Sequence, residues 1–267
     1  MRQTHLAVAA AVAAAIGTGI QPGASDPQPR DLRVAAYNIR HGEGMDRRLD
    51  LDRLAGVLRG LDADLIALQE VDKGTERTGR VDQVAAIAGR LGYRGVHGAH
   101  RPYQGGEYGN AVLSRLPVLA ARTHAIPPAA GSALAVLEVE VRMPGGGPVS
   151  LVSVHLAGTV EERVSQADAV TALFASANRP VILAGDFNGR PDDPAVARLD
   201  RTWRRLTKTG PPGTYPADRP DREIDFVLLS PGARLEPRAH EVVPEAVASD
   251  HRPVLAVLRV LHPPGDR

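Results

Sequence analysis

Carboxylate, amide and imidazole side chains recur at the ends of apolar runs along this chain. VAAYN closes on Asn38 and LIALQE on Glu70. GNAVLS opens on Asn110, VSVH closes on His155, and ILAGDFN closes on Asp186 and Asn188. REIDF places Asp225 at the start of a run, and ASDHRPVLAV sets Asp250 and His251 just before the last one. Carboxylate and amide oxygens are ligands for hard divalent cations such as Mg2+, Mn2+ or Ca2+. The chain has no cysteine, so thiolate sites for softer metals are absent, and its histidines lack the HExxH spacing of a catalytic zinc. Imidazoles supply protons or steady the charge that develops on a phosphate. The set suits a divalent cation and a phosphate, provided that the runs are strands whose ends converge on one rim.

Taken singly, each residue has a plainer explanation. Asp and Asn after a strand make turns and helix caps. Glu70 at a strand end is more often solvated, and His155 is more often a hydrogen-bonded interior histidine. Asp250 and His251 form a turn as readily as a site. The order of all of them together is what argues for a site.

The elements that must position them alternate at first. LRVAAYNI reads as a strand. Residues 50–61 carry Leu51, Leu54, Val57, Leu58 and Leu61 at helical spacing. ADLIALQE is a second buried strand, and residues 81–92 are a second helix that Gly92 stops. A Gly-, Tyr- and Arg-rich loop over 93–109 leads to the strand NAVLSR. The middle of the chain, PVLAARTHAI, SALAVLEVEVRM and VSLVSVHLAG, is strand-like and partly antiparallel. A helix follows over 161–177, with Val164, Ala167, Val170, Leu173 and Phe174 on one face. Then come the strand PVILAGDFN, one or two short helices over 193–206, and the strands EIDFVLLS and RPVLAVLRV. Two sheets packed face to face with helices outside accommodate this many elements.

Bulk properties narrow the function. A net charge of +1 and 3% aromatics disfavour an extended nucleic-acid groove or a base-stacking platform but leave room for a compact phosphate site. The run RTWRRLTK, residues 201–208, is expected to be a solvated helix face rather than a backbone-binding patch. The N-terminus, with Arg2 and His5 before an apolar stretch over 6–20 and small residues after it, reads as an export signal over residues 1–24. An uncleaved anchor is the alternative. A Pro-rich linker over 25–30 precedes a domain over 31–262. Secretion, or at least an extracytoplasmic location, follows.

The ordered set YN, LQEV, GNAVLS, VHL, GDFN, IDF and SDH resembles the endonuclease/exonuclease/phosphatase superfamily, which includes pancreatic-type DNase I, apurinic endonucleases, neutral sphingomyelinases and inositol polyphosphate 5-phosphatases. The likeness runs over residues 32–260. QEVDKGTERTGRVDQ and GGEYGNAVLS resemble the small exported bacterial hydrolases of this superfamily, relatives of the lumenal domain of GPI-lipid remodelling proteins. The resemblance implies a DNase I-like four-layer α/β sandwich with its site at one rim. It implies that Glu70, Asn38 and Asp250 hold Mg2+, with Mn2+ or Ca2+ as alternatives. Asp186 orients or deprotonates water, His251 contacts a phosphoryl oxygen with Asp225 holding its imidazole, and His155 lies near the leaving group. Asn188, Asn110 and Tyr108 line the phosphate pocket. Apurinic endonucleases carry an aspartate two positions after the first asparagine. Here Arg40 stands there, which weakens a repair or two-metal reading and suits a contact to substrate phosphate.

The expected function is therefore hydrolysis of a phosphodiester, in a lipid head group or a nucleic acid, by a monomer that needs no protein partner. A DNase I-like endonuclease and a non-catalytic phosphate- or lipid-binding protein on the same fold are the alternatives.

Overall fold

The computed structural model describes residues 31–143 and 146–261. The expected signal, the linker and the end of the chain lie outside these residues. Among the described residues, no helix is long and apolar enough to cross a membrane.

The chain opens with β1 (Leu32–Asn38), α1 (Leu51–Gly60) and β2 (Leu65–Lys73). On β1, Val34 and Ala36 face one hydrophobic cluster while Ala35 and Tyr37 face another. This two-residue alternation buries both faces of the strand. Asp50 caps α1 by accepting from the Arg53 amide, and Leu54 and Leu58 pack on the outer face of the sheet. α2 (Gln83–Leu91) joins them and ends at Gly92, whose φ of 70° is the left-handed stop that the sequence predicts.

The next segment departs from expectation. Residues 93–109 are not a loop but β3 (Arg94–Tyr103) and the first part of β4 (Gly106–Ser114). Their glycines serve packing: a Cβ on Gly98 would lie 2.8 Å from the Leu137 side chain, and one on Gly109 would lie 2.1 Å from the Gly98 carbonyl. β5 (Val118–Ala129), β6 (Ser132–Arg142) and β7 (Pro148–His155) follow, then α3 (Val160–Phe174), β8 (Val181–Asp186), α4 (Pro194–Asp200), β9 (Arg204–Arg205), β10 (Asp225–Leu229), β11 (Leu235–Val242) and β12 (Val254–Val260).

Two mixed six-stranded sheets result, ordered β11-β12-β1-β2-β4-β3 and β5-β6-β7-β8-β10-β9. One cluster, with Val34, Leu65, Leu151 and Ile182, fills the space between them. α1 and α2 cover the first sheet, and α3 and α4 cover the second. This is the four-layer α/β sandwich of the DNase I type.

Three further expectations change. Leu173 is exposed, and Gln166 takes an inward place on α3, bonded to the backbone of Ala157. The run 201–208 is not a solvated helix face: Trp203, Leu206 and Lys208 are buried. The edge strand β11 goes unpredicted because Pro237 interrupts it, and its register slips between Pro237 and Ala239.

On β11, His240 is buried, and burial, with Lys208 adding, pushes its pKa down to about 3. The folded protein keeps it neutral while the unfolded chain takes up a proton below about pH 6.5. Its contribution is present above that pH and is lost as pH falls toward 3, at up to about 1.4 kcal/mol per pH unit. His240→Gln should therefore flatten the fall of the urea midpoint between pH 6.5 and 4. Equal slopes in both proteins would refute this.

Candidate active site

Each sheet contains one parallel strand pair joined through a helix: β1 with β2, and β7 with β8. Both pairs send their C-terminal ends to the same rim. Asn38 ends β1 beside Gln69 of β2, and His155 ends β7 beside Asp186 of β8. The two sheets meet there through one amide. Asn38 Nδ2 donates to Glu70 Oε1 at 3.1 Å in its own sheet and to Asp186 Oδ2 at 3.0 Å in the other.

Glu70 owes its direction to a bulge. Leu68 pairs with Ala111 and Val71 with Gly109, so Gln69 and Glu70 together face Asn110, and Glu70 has a φ of 58°. A left-handed non-glycine residue costs about 1–2 kcal/mol, and such strain gathers at functional sites. The same bulge releases Gln69, whose Nε2 donates to Ser153 Oγ at 2.9 Å, while Ser153 Oγ donates to the Leu68 carbonyl. Asn110 Nδ2 donates to the Ser153 carbonyl at 3.0 Å, and its Oδ1 is buried without a partner. Gly185 makes the crossing possible, because a Cβ there would lie 2.0 Å from the Val154 carbonyl and 2.9 Å from Gln69 Nε2.

Asp186 is the centre of the cluster and is almost fully buried. Its Oδ1 accepts from the Asn188 amide at 2.8 Å. Its Oδ2 lies 3.4 Å from Asn188 Nδ2, 3.5 Å from His155 Nε2 and 3.6 Å from His251 Nε2. Asn188 Nδ2 also donates to the Leu156 carbonyl at 2.8 Å, which fixes the turn with a φ of 50° at Asn188. β10 runs antiparallel beside β8 and places Asp225 opposite Asp186. Asp225 Oδ2 meets His251 Nδ1 at 2.9 Å. Burial alone would lower the His251 pKa, but Asp225 and Asp186 outweigh it and raise it to about 10. His251 is therefore an imidazolium at neutral pH, with Nδ1–H on Asp225 and Nε2–H toward Asp186.

Asp186, Asp225 and His251 form a compact group of potential ligand atoms within 4.8 Å of one another. We read it as a charge relay rather than a metal centre, because the charged ring uses both nitrogens as donors. Glu70 fits a cation better. Its carboxylate makes no ion pair among the described residues, and its hydrogen-bonded neighbour is the neutral Asn38 amide. Asp250 stands on the far side, where Ser249 Oγ links it to the Asn38 carbonyl at 2.7 Å. Arg40 follows Asn38 with a φ of 45°, and its Nε lies 3.7 Å from Asp250 Oδ2. Tyr108 is half-buried in the wall beside Glu70. Burial, then the charge of Glu70, pushes its phenol pKa up.

Three residues in this network escape the sequence reading. Gln69 and Ser153 tie the sheets together, and Lys208 Nζ donates to the Asp225 carbonyl at 2.8 Å and to Glu223 at 2.6 Å. The partners of each are remote in the chain, so although each sits in a stretch that draws notice, its own role does not show there.

The family model for the endonuclease/exonuclease/phosphatase family matches residues 35–251. The uncharacterized protein YbhP of Escherichia coli (strain K12) is 26% identical over 250 residues, covering 87% of this chain and 98% of its own. The crystal structure of an endonuclease/exonuclease/phosphatase from Beutenbergia cavernae superposes with a TM-score of 0.71 at 26% identity, over 86% of this chain and 72% of that one. The corresponding protein of Bacteroides vulgatus gives a TM-score of 0.72 at 22% identity, over 86% and 99%. The chain belongs to the endonuclease/exonuclease/phosphatase family, whose fold is that of phosphoric ester hydrolases.

Proposed function

We propose that this protein is an exported, monomeric phosphoesterase that hydrolyses a phosphodiester with the help of a divalent cation. The observation that carries the reading is the surroundings of Asp186 Oδ2, where an amide and two imidazoles converge on one buried carboxylate. Such a carboxylate is held to accept a proton from, or align, a water for in-line attack on phosphorus. His251, kept charged by Asp225, donates from Nε2 to a phosphoryl oxygen as its charge grows. His155, whose Nδ1 is buried without a partner, serves the leaving oxygen. Asn188 and Asn110 orient the phosphate, with Tyr108 as the wall and Arg40 at the mouth. Glu70, with Asp250 beyond Arg40, would hold Mg2+ or Mn2+, and Asn38, expected as a ligand, would instead position Glu70, since its Nδ2 donates to that carboxylate and its Oδ1 accepts from the Arg40 amide. The cation, when bound, lowers the negative charge on the phosphate.

The test is a substrate panel of bis-p-nitrophenyl phosphate, duplex DNA, sphingomyelin and phosphatidylinositol, each with Mg2+ or Mn2+ and with EDTA. Cleavage of at least one diester that EDTA abolishes is expected. Glu70→Gln should weaken the apparent Mg2+ affinity by at least about 10–100-fold, the scale lost even when only a group supporting a metal ligand is removed, while the melting temperature holds. Absence of cleavage across the panel would favour a phosphate-binding protein instead. If DNA alone is cut, activity should fall steeply with salt.

A further inference from the structure

Strand β3 carries a group of side chains that the chemistry above does not use. Its register on β4 slips between Ala99 and Arg101, so His100 is the extra residue of a bulge. Bulges beside active sites re-aim a side chain that regular pleating would place elsewhere. His100 is 8% exposed, and among the described residues neither ring nitrogen makes a hydrogen bond of good geometry, with the Ala135 backbone near enough to act on the ring. Burial, helped by His155 and Arg101, lowers its pKa to about 3, so the ring is neutral, with at least one nitrogen left for a further partner. Its ring stands edge-on to Tyr108 with centroids 5.8 Å apart. The same Tyr108 flanks Glu70, so the group borders the site.

Two guanidiniums cover the neighbouring rings. Arg77 lies 4.7 Å over Tyr103 and 5.6 Å over Tyr108, and Arg101 lies 4.7 Å over Tyr108 and 5.8 Å over Tyr103. Arg77 is neutralised by Asp72, which it grips with a fork at 2.6 and 2.8 Å. Arg101 makes no ion pair among the described residues. Two consequences follow. A quaternary ammonium head group needs open aromatic faces, and here the faces are taken and carry positive charge. A half-buried guanidinium without a counter-ion, held in place by stacking, is suited to phosphate oxygens.

We propose that His100 and Arg101 form a subsite for a second phosphate group, so that the preferred substrate is a phosphodiester bearing a further phosphate rather than a cationic or neutral head group. The proposal rests on the phosphoesterase reading for its scissile diester.

Two matched pairs test it. One is glycerophosphoinositol with and without a 4-phosphate on the ring. The other is thymidylyl-thymidine with and without a terminal phosphate. The wild type should favour the phosphorylated member of at least one pair by about tenfold or more in kcat/KM, the scale of one charge-assisted contact. The responding pair tells a lipid head group from a nucleotide. Arg101→Gln should bring that ratio close to unity, and His100→Phe should reduce it. Arg94→Gln, at the exposed start of the same strand, should leave it intact. A ratio taken within one variant cancels any general loss of folded protein. The same pairs are titrated calorimetrically into the metal-free protein in EDTA. If no diester is cleaved but binding still discriminates in the wild type and not in Arg101→Gln, the phosphoesterase reading falls and the subsite stands. Cleavage without preference, a preference that survives Arg101→Gln, or no discrimination in either measurement overturns the subsite.

Discussion

Asp186→Asn is expected to lower kcat for the best diester by about 10³-fold, within the range that a positioned acid-base group supplies. The substitution is nearly isosteric, and its remaining carbonyl oxygen still accepts from the Asn188 amide, which donates to Oδ1 at 2.8 Å in the wild type. The fold should therefore persist, and the melting temperature should move by only a few degrees. Two effects add in the loss. The amide cannot take a proton from water, and one of the charges that hold His251 protonated disappears. KM should change less than kcat, because in the proposed mechanism the group acts on the reacting water and not on the bound phosphate. A variant within tenfold of wild-type kcat would remove Asp186 from the mechanism.

His251→Ala should cost about 10²–10³-fold in kcat, the scale of one lost oxyanion donor. It also leaves Asp225 buried with neither oxygen partnered by a side chain among the described residues, since Oδ1 has no partner there even with His251 in place. A loss of stability of about 1–3 kcal/mol should accompany it. Asp225→Asn separates the two effects. It keeps the ring but removes the main charge that raises its pKa to about 10. Because the folded pKa lies above the unfolded value, the stabilisation from the charged ring is present below about pH 6.5 and lost as pH rises through 10. In Asp225→Asn the alkaline fall in activity should therefore begin at lower pH. An NMR titration of the His251 ring in both proteins gives the direct check, and an unchanged midpoint would contradict the assignment.

Most of the fold is legible because the parallel pairs are buried on both faces and read as long apolar runs. Val34 to Tyr37 and Leu65 to Leu68 leave little choice. The candidate site residues can be picked out for the same reason, since polar side chains stand out when they end such runs, and the fold brings Asn38, Glu70, His155, Asp186, Asp225 and His251 to one rim. What escapes notice lies at edges. β3 carries His97, His100, Arg101 and Pro102 within a few residues, and its glycines look like loop punctuation when they are in fact points of close contact. β11 is hidden by Pro237. Lys208 sits in a run of arginines that suggests a solvated face, yet its ammonium is enclosed against the Phe226 ring at 4.6 Å. Burial of that kind depends on long-range partners, and local pattern has no access to them.

The position of β3 at the outer edge of its sheet has a consequence for how selectivity can change. Asn38, Asp186, Gln69 and Ser153 bridge the two sheets, so any change in their backbones disturbs both halves of the molecule at once. β3 is hydrogen-bonded on one side only. Insertion or deletion of a single residue at the His100 bulge would rotate a different pair of side chains toward the mouth while the seam beneath stayed put. If the proposed subsite holds, substrate preference could change at this edge strand with less disturbance than a change in the residues that bridge the sheets would cause.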